Sequence, residues 1–119
     1  MRLALELFRD DPDFRIVSAG ATVFEEGDAG DALYVILEGE VELRIAGRVL
    51  ETLRPGDLFG EMALIDQSPR VATAVAKTLC KLVPVSGSRF LGLVRQRPEF
   101  SLHLMKVMAK RLRKMNRRI

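Results

Sequence analysis

The 119-residue chain is 48% hydrophobic and 29% charged, which supplies apolar material for one core and not for two. A single cysteine, Cys80, rules out an intrachain disulfide and fits a reducing compartment, so the expected location is cytoplasmic. No apolar run approaches the 18 residues that span a bilayer, and no charged-then-apolar leader opens the chain.

The formal charge of +3 is unevenly spread. Residues 106–119 hold seven basic groups (Lys106, Lys110, Arg111, Arg113, Lys114, Arg117 and Arg118) and no acidic one. Residues 1–105 hold 12 basic groups and all 16 acidic ones, a net of −4. A mildly acidic body therefore carries a strongly basic tail.

In chain order, a short apolar segment at 3–8 runs into Asp10, Asp11, Pro12 and Asp13, which stop it after one or two helical turns. Stretches that favour strand follow at 22–25, 32–37, 41–45, 48–53, 71–77 and 81–85, separated by turns such as Glu26-Gly27-Asp28-Ala29-Gly30-Asp31 and Arg54-Pro55-Gly56-Asp57. In Val41-Glu42-Leu43-Arg44-Ile45 the apolar and charged residues alternate strictly, placing one face on a core and one in water. Evenly spaced short strands of this kind predict a mainly β fold, an antiparallel β-roll or jelly roll.

After Val85 the period changes. Ser86-Gly87-Ser88 offers a helix start for 89–97, and Pro98 opens a second helical run that reaches Ile119. In that run Leu102, Met105, Ala109, Leu112, Asn116 and Ile119 have the a/d spacing of a coiled coil, with Asn116 as a polar seam residue. Leu104, Val107, Met108 and Met115 widen the stripe into that of a helix packed on its own β-roll. The sequence leaves both arrangements open.

One stretch departs from strand alternation. Gly60 followed by Glu61-Met62-Ala63-Leu64-Ile65 reads as a glycine turn opening a single helical turn, and the unpaired N–H groups of a helix start attract anions. Ten residues after Gly60, Pro69 stiffens the approach to Arg70, whose planar fork matches two oxygens of a phosphate. Glu61 beside the glycine can accept a hydrogen bond from a sugar hydroxyl. One phosphate and one ribose bound side by side fit this set.

The string FGEMALIDQSPRVATA resembles the phosphate-binding cassette of cyclic nucleotide-binding domains, as found in catabolite activator proteins and protein kinase A regulatory subunits. EEGDAGDALYVILEGEVEL and LRPGDLF resemble the strand and turn signatures that precede it, so the likeness runs over about residues 14–119. It implies one domain over 1–119, with the β-roll at about 14–86, the helices at about 87–119 and no output domain. It further implies that Glu61 binds the ribose 2′-hydroxyl, that Arg70 binds the exocyclic phosphate oxygens, and that N–H groups of Gly60, Met62, Ala63, Val71 and Ala72 line the site. Thr73 would face the base. A Thr or Ser directly after the arginine often favours cyclic GMP in this family; here that position is Val71, so cyclic AMP is the expected ligand and cyclic GMP the second. The C-terminal helices would pass binding on to a second copy or to a partner protein.

Three other readings compete. Glu61 and Arg70 could be a surface ion pair closing a loop, worth about 0–1 kcal/mol. The β-roll could be an interaction module without ligand, working through its helical face. The basic tail could contact nucleic acid nonspecifically, although no helix-turn-helix follows the β-roll and specific DNA binding is not expected. His103 is the only histidine and cannot assemble a metal site or a catalytic set, and it reads as a packing or helix-surface residue. Cys80 reads as a small buried residue starting a strand. Neither enzymatic activity nor a catalytic cofactor is expected.

Overall fold

The computed structural model describes residues 2–117, with the side chains of residues 3–116. Among them, α1 (Arg2–Phe8) precedes eight strands: β1 (Arg15–Val17), β2 (Thr22–Phe24), β3 (Ala32–Glu38), β4 (Val41–Ile45), β5 (Arg48–Leu53), β6 (Leu58–Phe59), β7 (Thr73–Ala76) and β8 (Cys80–Ser86). A six-residue helix, α2 (Glu61–Asp66), sits between β6 and β7, and α3 (Gly87–Gln96) and α4 (Pro98–Arg117) follow β8. The expected extension of the last helix to Ile119, and Arg118, lie outside the described residues.

The strands form two four-stranded antiparallel sheets, ordered β1-β8-β3-β6 and β2-β7-β4-β5. Between them lies one apolar cluster that includes Tyr34, Ile36, Val41, Leu43, Leu53, Phe59, Ala74 and Leu82. A second cluster covers the outer face of the first sheet, where Leu33, Val35, Val83 and Val85 meet Ala4 and Phe8 of α1 and Phe100 and Leu104 of α4. Strands β3 and β8 are thus buried on both faces, and this is why residues 32–37 are apolar without alternation. Strand β4, with one face toward solvent, keeps the alternation.

The hairpin between β4 and β5 pairs Ile45 with Arg48 across a two-residue turn, Ala46-Gly47, with φ of 51° and 78°. Positive φ at both positions is the type I′ geometry that matches strand twist. Helix α3 begins two residues earlier than expected, because the Ser86 hydroxyl caps it by accepting from Arg89 N at 3.3 Å. Arg97 leaves helical geometry before Pro98, which separates α3 from α4.

The two open arrangements of the last helix are now resolved by face. Phe100 and Leu104 are fully or nearly fully buried, with Val107 and Met108 packed beside them, so this face lies on the β-roll. Leu102, Met105 and Leu112 are 53%, 58% and 46% exposed, so the a/d stripe faces outward. Two short strands, β1 and β6, have no counterpart in the expected set, and β7 starts at Thr73 rather than at 71.

Candidate functional site

The site is built around the break between β6 and β7. After Phe59 the chain turns through Gly60 at φ 85° into α2. A Cβ there would stand 2.7 Å from Arg70 Nη1, so both the backbone angle and the space require glycine. Helix α2 ends on Gln67, also left-handed at φ 59°, and Ser68 N and Oγ both donate to Asp66 Oδ1. The chain then passes Pro69 and delivers Arg70.

Arg70 is 6% exposed. Its backbone N donates to Asp28 O at 2.8 Å and its carbonyl accepts from Gly27 N at 2.9 Å, which ties the glycine-rich loop after β2 alongside it. Nη1 donates to Gly60 O and Nη2 to Ala32 O, both at 2.8 Å, and the guanidinium carbon stands 4.1 Å from the centre of the Phe24 ring. Gly30 leaves room for this pose, because a Cβ on it would fall 2.3 Å from Arg70 Nε. Nε itself is buried and has no hydrogen-bond partner. Among the described residues no carboxylate lies within ion-pair distance of Arg70. Burial lowers its pKa from the ordinary arginine value, opposed by Tyr34, Asp31, Glu61 and Asp28. A buried cation without a counter-ion costs several kcal/mol, and a bound anion would offset that cost.

Glu61 is 3% exposed and does not pair with Arg70. Its Oε1 accepts from Arg111 Nη1 at 2.5 Å, across 50 residues of sequence. Arg111, on α4, also donates Nη2 to Leu58 O at 2.5 Å and Nε to Glu51 Oε1 at 3.0 Å, while Lys114 Nζ lies 3.4 Å from Glu51 Oε2. The surface ion pair between Glu61 and Arg70 weighed from the sequence is therefore absent, and both residues are interior. The sequence shows Arg111 only as one basic group of the tail. Its signal is its position: it falls seven residues after Leu104 and four before Met115, inside the face that packs on the β-roll.

A cleft joins these groups. Seven of the eight residues expected at the site line it: Gly60, Glu61, Met62, Ala63, Arg70, Val71 and Ala72. Phe24, Leu43 and Leu50 add apolar wall, and Arg111 and Met115 bring α4 to its edge. Thr73 is the exception: it does not line the cleft, and its hydroxyl accepts from Glu26 N at 3.0 Å. Val71 is 43% exposed at the rim.

The remaining reactive side chains stand apart. Cys80 is buried at the start of β8, its thiol donating to Glu40 O and Thr78 O, and burial raises its pKa. His103 is buried on α4 with Nε2 unpartnered, and burial lowers its pKa, with Lys106 adding to the effect and Asp57 opposing it. Among the described residues no group of three His, Cys, Asp or Glu side chains is arranged to hold a metal ion. No described helix is long and apolar enough to cross a membrane.

Known proteins resemble this chain in sequence and fold. A CRP-like cAMP-activated global transcriptional regulator of Mycobacterium tuberculosis is 39% identical over 102 residues, covering 82% of this chain and 46% of the regulator. A cAMP-dependent protein kinase regulatory subunit of Yarrowia lipolytica is 42% identical over 82 residues, covering 67% of this chain and 22% of the subunit. The chain thus spans less than half the length of either relative. The crystal structure of the Thermus thermophilus catabolite activator protein superimposes with a TM-score of 0.79 at 37% identity, over 97% of this chain and 55% of that one. The cyclic nucleotide-binding domain family matches over residues 14–97. With that match on a β-roll whose glycine, acid and arginine converge on one cleft, the chain belongs to the cyclic nucleotide-binding domain family.

Proposed function

We propose that this chain is a sensor that binds cyclic AMP in the cleft between α2 and α4 and acts by binding rather than by catalysis. The observation that carries the reading is Arg70: a buried guanidinium with no carboxylate partner and an unpartnered Nε, held open by two carbonyls and the Phe24 ring. A cyclic phosphate is a monoanion with two exocyclic oxygens, and it would supply the missing counter-charge. Glu61 offers Oε2 to the ribose 2′-hydroxyl while Oε1 stays on Arg111. Leu43, Leu50, Met62 and Met115 supply apolar wall for a purine, and Val71 at the rim has no hydroxyl for a guanine amino group, which favours cyclic AMP over cyclic GMP. The relatives' names, one cAMP-activated and one cAMP-dependent, support the same ligand.

Residues 14–86 act in this reading as the ligand-binding β-roll and 87–119 as its output helices. The Glu61–Arg111 pair is the link, because it joins the ribose position to α4. The ligand shifts α4 only by its differential affinity for two arrangements. The outer face of α4, with Leu102, Met105, Ala109, Leu112 and Asn116 in a/d register, presents the signal to a second copy or to another chain. The setting is the cytoplasm, where the nucleotide is made.

Titration calorimetry with cyclic AMP and cyclic GMP tests the proposal. Saturable heat with the tighter constant for cyclic AMP is expected. No heat at millimolar concentrations of either nucleotide would leave the chain as an interaction module, and a tighter constant for cyclic GMP would overturn the base assignment alone.

A further inference from the structure

The hairpin of β4 and β5 changes register along its length. Next to the turn Ile45 faces Arg48 and Arg44 faces Val49, but further on Leu43 faces Glu51. Leu50 is therefore the extra residue of a β-bulge, and Leu50 and Glu51 together stand opposite Leu43. The bulge serves the site, because Leu43 and Leu50 both line the cleft and Glu51 reaches Arg111. Carrying the Leu43–Glu51 register on to the turn without a bulge would set Leu50 opposite Arg44, on the other face of the sheet from Leu43, and would leave a longer loop at 46–48.

The turn decides between these registers, since the loop of a hairpin fixes its pairing. The two-residue turn needs positive φ at both positions, and the first is filled by Ala46 at φ 51°, where a residue with a Cβ is strained. Its support comes from outside the hairpin. Strand β7, the neighbour of β4, begins at Thr73 opposite Arg44, because residues 70–72 belong to the cassette, so the tip of the hairpin runs beyond the ladder. There Glu26 Oε1 accepts from Ala46 N at 2.9 Å, while Glu26 N donates to Thr73 Oγ1 at 3.0 Å. One residue of the loop after β2 thus ties the strained turn to the start of β7.

Resting on the reading that this cleft takes a cyclic nucleotide, we propose that Glu26 is a positioning residue for base recognition: by holding Ala46 in the two-residue turn it keeps the bulge at Leu50, and with it the apolar wall against the purine. Glu26 does not itself line the cleft. Its carboxylate acts on the base half of the ligand, because Arg70 is held to the same loop through the backbone of Gly27 and Asp28.

Glu26→Ala removes the acceptor and leaves the backbone bond to Thr73. In the ligand-free protein, hydrogen exchange of the amides at 45–50 is expected to quicken by about tenfold, the scale of one hydrogen bond to a charged group, with exchange in β3 and β8 unchanged. Affinity for cyclic AMP is expected to fall by a similar factor in calorimetry, whereas affinity for the base-free methyl riboside 3′,5′-cyclic phosphate, followed by NMR titration, changes by less than about twofold. Glu26→Gln keeps an acceptor on the same arm and should recover most of both effects. Ala46→Asn in the Glu26→Ala background supplies the Asn-Gly pair that favours this turn, and it should restore slow exchange and cyclic AMP affinity together. A general loss of stability would not be repaired by one turn residue.

Unchanged exchange at 45–50 in Glu26→Ala, unchanged cyclic AMP affinity, an equal loss for both ligands, or no rescue by Ala46→Asn overturns the proposal. If the unmodified protein binds neither ligand, the reading of the cleft falls and the base role falls with it, while the exchange and its rescue still decide whether Glu26 fixes the turn.

Discussion

Two arginines border one cleft, and they are held in opposite ways. Arg111 is surrounded by compensation: two carboxylates, a carbonyl, and a zero local charge once Lys114 is included. Arg70 is equally buried but receives only carbonyls and an aromatic face, with Nε left without a partner. A buried ion that the protein has fully paired is satisfied within the fold, whereas one left unpaired carries an uncompensated cost. The contrast separates the two ends of the cleft into a fastening and a cation without a counter-charge.

The largest expected effect breaks the fastening. Arg111→Ala leaves Glu61 buried without a partner, and loss of one member of a buried pair costs about 3–5 kcal/mol. Urea denaturation should show a destabilisation of that size, and a loss below about 1 kcal/mol would mean that Glu61 finds water or another donor. Arg70→Ala should do the reverse. Binding of cyclic AMP is expected to weaken by about 2–5 kcal/mol in calorimetry, while unfolding stability changes by less than about 1 kcal/mol, because the two hydrogen bonds lost to Gly60 O and Ala32 O are offset by relief of the unpaired buried charge. An unchanged dissociation constant would show that Arg70 is not the phosphate ligand.

A milder test displaces Arg70 without removing it. Gly30→Ala puts a methyl 2.3 Å from Arg70 Nε and must turn the guanidinium aside. Overpacking of this kind costs about 1–3 kcal/mol, and the loss should appear in cyclic AMP affinity rather than in the urea midpoint. The smallest effect concerns the helix that carries the fastening. His103 has its pKa lowered by burial, so its neutral form is the one that packs. The packed state is then fully favoured above the ordinary histidine pKa of about 6.5 and loses stability as pH falls below it. Thermal unfolding between pH 7.5 and 5.5 should show this decline, and His103→Leu should flatten it; an equal decline in both proteins would assign it to other groups.

Most of the β-roll could be read along the chain, for reasons particular to each strand. Strand β4 announces itself by alternation, and β3 by an apolar run too short for a helix and bounded by turns. Strand β1 could not be seen, because Arg15 and Ile16 are both exposed and its partner β8 comes from the far end of the β-roll's sequence. Strand β6 has two residues and merges into the cassette. At the site, the residues bound to one another by local sequence, Gly60, Glu61 and Arg70, were legible as a motif. The partner of Glu61 was not, since 50 residues separate it from Arg111 and a run of seven basic groups hides the one that turns inward. Thr73 does not line the cleft, and its hydroxyl accepts from the backbone N–H of Glu26, a contact 47 residues away that the local motif does not reveal.

The burial of Phe100 and Leu104 has a mechanical consequence. Both are seated in the apolar layer over β3 and β8, so the first turns of α4 cannot lift without uncovering Leu33, Val35, Val83 and Val85. Val107 and Met108 pack beside them, so motion of the helix is confined to what lies beyond Met108. From there to Met115 an α-helix extends roughly 10 Å, so a tilt of roughly 10° about that fulcrum carries the tip roughly 2 Å. Breaking or remaking a single bond at Arg111, midway along that arm, is thus geared up at the far end of the helix.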